Sequence, residues 1–126
     1  MRLPKGEERD VALRTRKFAS RIIRLYVSLP LTVESQVIGK QLLRAGTSVG
    51  AHIAEGNRAK SRADFANKVD GALQELDESV YWMNLLIDNG IVKTEKLHDL
   101  MDEAGQITAV LVTIANKTRR SETKQA

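Results

Sequence analysis

One segment near the middle of the chain constrains the fold more than any other. Gly46, Gly50 and Ala54 recur every four residues, so on a helix they form one stripe without side-chain bulk. An apolar seam at spacings of 3 and 4 adjoins the stripe, formed by Leu42, Ala45, Val49 and Ile53. Each glycine costs a helix about 1 kcal/mol relative to alanine, a cost that only close packing would offset. The segment therefore predicts an interior helix of a helical bundle.

Three more segments carry apolar residues at helical spacing. We expect a first helix from about 7 to 29, stopped by Pro30, and a second from an N-cap at Thr32 to about 57 or 58. A third should run from an N-cap at Ser61 to Asn89-Gly90, and a fourth should start at an N-cap at Thr94. The expected seams are Val11, Thr15, Phe18, Ile22, Leu25 and Leu29; Phe65, Val69, Ala72, Leu76, Val80, Met83 and Ile87; and Leu97, Leu100, Ala104, Ile107, Leu111 and Ile114. Short connections make neighbouring helices antiparallel, so the pattern predicts an all-α, up-down-up-down four-helix bundle.

Length and composition limit the class of protein. A chain of 126 residues is large enough for one core, which predicts a single domain over 1–118 and a frayed tail over 119–126, where no apolar side chain exceeds alanine. Cysteine is absent, so disulfides and thiolate metal sites are excluded. The N-terminus has no apolar signal region and no stretch is long enough to span a bilayer, so we expect a cytoplasmic protein.

Charge is distributed unevenly along the chain. Residues 1–62 hold 13 Lys/Arg against 5 Asp/Glu, whereas residues 63–126 hold 7 against 11. Four cations of the first helix follow one face, and others lie on the second helix and in the loop after it. These candidate phosphate contacts are Arg14, Lys17, Arg21, Arg24, Lys40, Arg44, Arg58, Lys60 and Arg62. The pattern favours nucleic acid as a partner. The alternative is that these residues form solvated helix faces.

Two sets of residues invite a catalytic or metal hypothesis, and neither is complete. Ser48, His52 and Glu55 share one helix face, but residues on a single helix have no oxyanion hole facing them, so a hydrogen-bonded set that joins helices is the better interpretation. In that role Glu55 needs a cationic or amide partner. A di-iron bundle needs two Glu-x-x-His pairs, and only Glu95 and His98 supply one. We therefore expect no catalytic site, no cofactor and no metal.

Apolar residues outside the seams predict self-assembly. They are Leu13, Ile23, Leu43, Leu73, Leu85, Val110 and Val112. Tyr81-Trp82 could stack on bases, but only five aromatic residues are present and none is interleaved with the cations, so Trp82 is better explained as a bundle anchor or a subunit contact. The candidate packing or interface residues are Gly46, Ser48, Gly50, Ala54, Glu55, Gly56 and Trp82.

Residues 48–56 also carry a resemblance to a known family. Ser-Val-Gly-Ala-His-Ile-Ala-Glu-Gly resembles the Ser-x-x-x-Asn-Ile-Ala-Glu-Gly signature of the bacterial four-helix-bundle proteins encoded in intervening sequences of 23S ribosomal RNA genes, also called the S23 family. Asp64-Phe65 and residues 71–82 are similar to the third helix of that family. His52 departs from the signature, which has Asn there. Relatives include the accessory variability determinant of diversity-generating retroelements, a basic pentamer that binds nucleic acid and a reverse transcriptase.

Residues and resemblance together predict a non-enzymatic bundle that self-assembles and presents a basic surface to RNA or DNA. The resemblance implies a homopentamer and a reverse transcriptase as a further partner; the residues themselves imply only an interface. The alternative function is a protein-interaction scaffold without direct nucleic-acid binding.

Overall fold

Four helices account for nearly all of the chain. The computed structural model describes residues 5–125, with side chains for residues 10–121. The helices are α1 (Lys5–Ser28), α2 (Val33–Gly56), α3 (Arg62–Asp88) and α4 (Thr94–Gln125). Helix α2 lies between α1 and α3 and packs closely on both, α4 packs on α3, and α1 and α4 touch only lightly. No strand occurs among the described residues, so the predicted all-α four-helix bundle is confirmed.

The helix ends follow the expected local chemistry. The Thr32 side chain accepts from the Ser35 amide as N-cap of α2, and the Ser61 hydroxyl accepts from the Asp64 amide at 3.0 Å. The Asp64 carboxylate accepts from the Lys60 amide at 3.3 Å, one residue before the amide that a capping box uses. Gly90 ends α3 with φ of 67°. Helix α4 begins at Thr94, the residue expected as its N-cap.

The core contains the seams of α2 and α4 as predicted. Leu42, Ala45, Val49 and Ile53 are buried, and so are all six seam residues of α4. In α1 the seam is buried except at Leu25, which is half-buried. Apolar residues at strict spacings of 3 and 4 thus located three of the four buried faces.

The predicted seam of α3 is wrong in its second half. Val80 and Ile87 are half-buried, while Ser79 and Leu86 take the fully buried positions. The buried residues of α3 therefore keep alternating spacings of 4 and 3 along the helix, and Ser79 occupies one of these positions. Burial of Ser79 is possible because its hydroxyl donates to the Glu75 carbonyl at 2.7 Å, which leaves no polar group unsatisfied.

Helix α4 continues beyond the domain boundary expected at residue 118. Thr118 is buried, and its hydroxyl donates to the Ile114 carbonyl at 2.9 Å. One residue later, Arg119 Nη2 lies 2.6 Å from Asp70 Oδ2 on α3. The backbone is helical to Gln125, with Ala126 outside the described residues. Fraying of these last turns in solution stays a prediction.

Candidate nucleic-acid interface

The outer face of α1 carries a cluster of cations without acidic neighbours in sequence. Residues 11–33 contain five Lys/Arg and no Asp or Glu. Arg16, Lys17 and Arg24 are exposed and Arg21 is half-buried. A shallow groove of about 520 Å³ runs over this face and is lined by Leu13, Arg16, Lys17, Ser20, Arg21 and Arg24. We call these residues the α1 groove. Within residues 10–121, no ion pair neutralises its four cations.

Arg14 does not belong to this groove, although its spacing predicted that it lies on the same face of α1 as Lys17, Arg21 and Arg24. Its Nε and Nη2 each donate to the Glu103 carboxylate on α4 at 2.8 Å, and Nη2 also donates to the Gln106 side-chain oxygen at 2.8 Å. These hydrogen bonds hold the pKa of Glu103 below its usual value; burial opposes the shift, and the charges of Arg14 and Arg21 add to it. Arg14 therefore links α1 to α4.

Arg16 takes the place that Arg14 was expected to fill. Arg16 was missed because the candidate cations of α1 were selected only by spacings of 3 and 4. The lack of any carboxylate over 11–33 was the signal that could have found it, since it selects every cation of the segment regardless of spacing.

Of the two candidate cations of α2, one is paired with another helix and the other is not. Arg44 pairs with two carboxylates of α3, Glu75 at 3.2 Å and Glu78. The hydrogen bond that Arg44 donates to Glu78, and secondarily the charges of both carboxylates against an opposing burial effect, raise the pKa of Arg44. Lys40 is exposed and forms no ion pair within the described side chains. Helix α2 thus contributes Lys40 to a basic surface, whereas Arg44 ties α2 to α3.

A second basic region lies at the end of the bundle where α2 turns into α3. Arg58 and Lys60 are exposed, and Arg62 is half-buried with its Nε buried and without a hydrogen-bond partner. The contact between Arg119 and Asp70 brings the last turns of α4, with exposed Lys117 and Arg120, to this same end.

Three carboxylates near this end are already engaged. Asp70 pairs with Arg119, Glu55 lies 3.2 Å from Lys68 Nζ, and Asp64 accepts from the Lys60 amide. Positive charge is therefore in excess at this end. Lys117 and Arg120 were not among the predicted contacts; Arg120 lies in the segment from 119 that was treated as a tail.

The expected hydrogen-bonded set around His52 is only partly formed. Ser48 donates to the Arg44 carbonyl of its own helix at 2.7 Å, so it does not join helices. Glu55 has the cationic partner that it was expected to need, Lys68, but this pair is solvent-exposed and not buried. His52 Nδ1 is buried without a hydrogen-bond partner, 4.0 Å from Glu55 Oε2. The Ser48 hydroxyl donates its hydrogen bond to a carbonyl and not to a base, so Ser48, His52 and Glu55 form no catalytic arrangement.

The small-residue stripe of α2 packs against α1 of the same chain. A Cβ on Gly46 would lie 2.7 Å from Ile22 Cγ1, and one on Gly50 would lie 3.3 Å from Thr15 Oγ1. Gly56 is buried against Phe65 on α3, while Ala54 is exposed, so close approach does not extend along the whole stripe.

Trp82 serves as an anchor within the bundle. It is half-buried against the core and stacks edge-to-face on Tyr81 with 5.0 Å between ring centroids. Its Nε1 is buried without a hydrogen-bond partner. A role as a subunit contact stays a prediction.

Neither a candidate metal site nor a candidate membrane-spanning helix occurs among the described residues. No group of three or more His, Asp or Glu residues could hold an ion there, and Glu95 and His98 are both exposed. None of the described helices is long and apolar enough to cross a membrane.

Known proteins resemble the chain over most of its length. The sequence profile of the 23S rRNA-intervening sequence protein family matches residues 7–113. A crystal structure of a protein of unknown function from the S23 ribosomal protein family of Bacteroides thetaiotaomicron has 39% identity and a TM-score of 0.79, covering 83% of this chain and 97% of that one. No curated protein matches. Neither match indicates an enzymatic family. The chain belongs to the 23S rRNA-intervening sequence protein family.

Proposed function

We propose that the protein is a non-enzymatic, self-assembling bundle that binds nucleic acid through the α1 groove. The observation that carries the proposal is the set of four cations in this groove without an ion-pair partner among the described residues. A merely solvated face would interleave both signs of charge, as most protein surfaces do. Cations on a rigid helix, in contrast, can contact successive phosphates at low cost in side-chain ordering.

The basic end of the bundle extends this surface. Arg58, Lys60 and Arg62 lie near the level of the first turns of α1, because α2 and α1 are antiparallel and Gly50 packs on Thr15. Phosphates that follow the α1 groove could therefore continue towards this end. Such contacts are independent of base sequence, so the proposed ligand is RNA or DNA without strong sequence preference.

Self-assembly is the second part of the proposal. Val110 and Val112 are large apolar residues that are 37% and 42% exposed in the single chain, and coverage by a neighbouring copy would remove them from water. We expect a particle larger than the 14.0 kDa chain. The family signature that residues 48–56 resemble supports a homopentamer in the cytoplasm with a reverse transcriptase as partner, because relatives of that family include the pentameric accessory variability determinant. Light scattering at micromolar concentration measures the mass, and a monomer would contradict this part.

Matched charge reversals test nucleic-acid binding. Lys17→Glu with Arg24→Glu changes two exposed cations of the α1 groove, and Lys93→Glu with Lys96→Glu makes the same change in net charge at exposed positions near the start of α4. Affinity for labelled 30-nucleotide RNA and DNA is measured by fluorescence anisotropy at several salt concentrations. The slope of log K against log salt should be about −0.9 for each phosphate neutralised on duplex DNA and about −0.7 on single strands.

The groove variant should bind at least tenfold more weakly and with a shallower slope than wild type, while the control variant should lose much less. An Arg58→Glu, Lys60→Glu variant reports separately on the basic end. Equal losses in the groove and control variants would mean that net charge alone drives binding. No binding by the wild-type protein would favour the alternative function, a protein-interaction scaffold. The exposed apolar residues near the connection between α1 and α2 are an independent observation in favour of that alternative.

A further inference from the structure

Exposed apolar side chains concentrate where α1 turns into α2. Nine large hydrophobic residues are exposed among the described side chains, and five of them fall between positions 23 and 37. They are Ile23 (45% exposed), Val27 (76%), Leu31 (91%), Val33 (78%) and Val37 (57%). We call them the turn cluster. Single exposed apolar residues are ordinary, but such a concentration at one end of a bundle is typical of an interaction site.

Helix propensity does not explain why the positions of the turn cluster carry large apolar residues. Val27, Val33 and Val37 lie within α1 and α2 and point away from the core. At solvent-facing helical positions, valine is less favourable than alanine or lysine by roughly 0.5 kcal/mol. Leu31 lies in the connection between the helices, where a polar residue would cost nothing. The cluster therefore reduces solubility and helix stability without contributing to this chain's own core.

The charges around the turn cluster define the chemistry of what covers it. Arg24 on α1 and Lys40 on α2 are exposed beside it, and Glu34 is the single acidic residue between positions 11 and 54. A complementary surface has apolar side chains for the cluster and carboxylates for the flanking cations.

A second copy of this chain placed symmetrically on the cluster does not satisfy that condition. A two-fold contact brings identical patches together, so Arg24 and Lys40 of one copy would approach those of the other. Like charges in an interface are unfavourable. A two-fold pair is therefore excluded as the occupant. The self-assembly proposed above uses Val110 and Val112, which lie outside the cluster, so we look for the occupant in a different protein. A second copy docked through another face is distinguished by the particle mass measured below.

We propose that the turn cluster docks an amphipathic helix of a partner protein, with an apolar face flanked by Asp or Glu. Exposed surface on two adjacent antiparallel helices suits such a ligand, which anchors through residues at i, i+3, i+4 and i+7. The cluster lies at the opposite end of α2 from Arg58 and Lys60. A helix of 24 residues spans roughly 36 Å, so the partner leaves the basic end of the bundle free for a nucleic acid, whereas Arg24 is shared with the α1 groove. The inference does not depend on nucleic-acid binding.

Two synthetic peptides test the proposal. The first is a labelled 20-residue helix with leucines along one face and glutamates on both flanks, and the second has lysines in place of the glutamates. Val27→Gln with Val33→Gln removes the centre of the cluster at positions where glutamine favours the helix more than valine does. Tyr81→Gln is the control, because Tyr81 is a large exposed hydrophobic residue of α3 outside the cluster, the α1 groove and the residues assigned to self-assembly. Binding is measured by fluorescence anisotropy, with particle mass by light scattering and helicity by circular dichroism.

The glutamate peptide should bind the wild-type protein at least tenfold more tightly than the lysine peptide. The cluster variant should lose at least tenfold in this affinity, and the control variant less than twofold. Absence of binding, or equal binding by wild type and cluster variant, would overturn the proposal. A smaller particle mass for the cluster variant would also overturn it, because a second copy would then be the occupant. RNA affinity of the cluster variant should stay unchanged, so this proposal and the proposed function fail separately.

Discussion

Arg14 on α1 and Glu103 on α4 form a two-pronged ion pair in which Nε and Nη2 each donate to a different carboxylate oxygen at 2.8 Å. These helices have the smallest contact of any neighbouring pair in the bundle. Gln106 extends the link by accepting a third hydrogen bond from Arg14 and donating to Asp102 at 2.8 Å. Geometry of this kind is stronger than an ordinary surface pair, since both charges are held by parallel hydrogen bonds. Polar contacts therefore help to hold α1 and α4 together.

Replacing Glu103 should lower stability in a pH-dependent way. Because the pKa of Glu103 is lowered in the folded state, its contribution is present above the unfolded pKa of about 4.3 and disappears as pH falls through the folded pKa. Glu103→Gln should therefore cost about 1 kcal/mol at neutral pH and much less in acid. Urea denaturation of wild type and variant at neutral and acidic pH measures this. Asp77→Asn, at an exposed position without an ion pair in the described part of the chain, is the control. A constant difference across pH would contradict the assignment.

Gly46 and Gly105 should respond in opposite ways to the same substitution. At Gly46 a Cβ would lie 2.7 and 2.9 Å from two side-chain atoms of Ile22, which is fully buried and cannot move aside cheaply. Gly46→Ala should therefore destabilise the protein by about 1–3 kcal/mol despite the better helix propensity of alanine. At Gly105 no atom lies within 4 Å of the added Cβ, so Gly105→Ala should stabilise by about 0.4–1 kcal/mol. Thermal and urea unfolding of both variants provide the comparison, and equal shifts would show that Gly46 does not pack as described.

The sequence was most informative where one physical rule acts alone. Spacings of 3 and 4 identified six buried residues of α4, from Leu97 to Ile114, because that helix is amphipathic. Ala115 and Thr118 are buried as well and were not predicted. The same rule failed in α3, where Val80 was chosen over Ser79. Hydrophobicity ranks valine above serine, but the hydroxyl of Ser79 is satisfied by its own helix, so the heptad spacing prevails.

The candidate interface was less predictable for a different reason. Spacing reports which cations share a helix face, but not whether a carboxylate from another helix reaches them. Arg14 and Arg44 are both paired across the bundle, with Glu103 and with Glu75, at separations of 89 and 31 positions in sequence. Such long-range pairs follow from helix packing, which a single sequence does not specify. Arg16, in contrast, could have been found from the sequence, because residues 11–33 hold no carboxylate.

Gly90 provides a test of backbone strain without steric contacts. Its φ is 67°, and no atom lies within 4 Å of a methyl group added at that position, so any cost of Gly90→Ala arises from the backbone alone. We expect a loss of about 1 kcal/mol in the free energy of unfolding. Gly90→Asn should lose less, because asparagine tolerates this conformation better than alanine. Urea denaturation ranks the three proteins, and equal stability of the alanine variant and wild type would show that the turn adopts another conformation in solution.

The last prediction concerns Gly71 on α3 and His52 on α2, which are coupled through one close contact. A Cβ on Gly71 would lie 2.8 Å from His52 Nδ1 and 2.9 Å from its Cε1, so alanine there displaces the imidazole. In the wild type this displacement offsets the gain in helix propensity, whereas in a His52→Ala background only the gain remains. The double-mutant cycle should therefore show a coupling of about 1 kcal/mol or more, with Gly71→Ala more favourable when the histidine is absent. His52→Asn, which restores the residue of the signature that 48–56 resembles, should relieve the contact in the same direction because its side chain is shorter. Chemical denaturation of the four proteins of the cycle measures the coupling, and additive effects would mean that the imidazole does not occupy the space opposite Gly71.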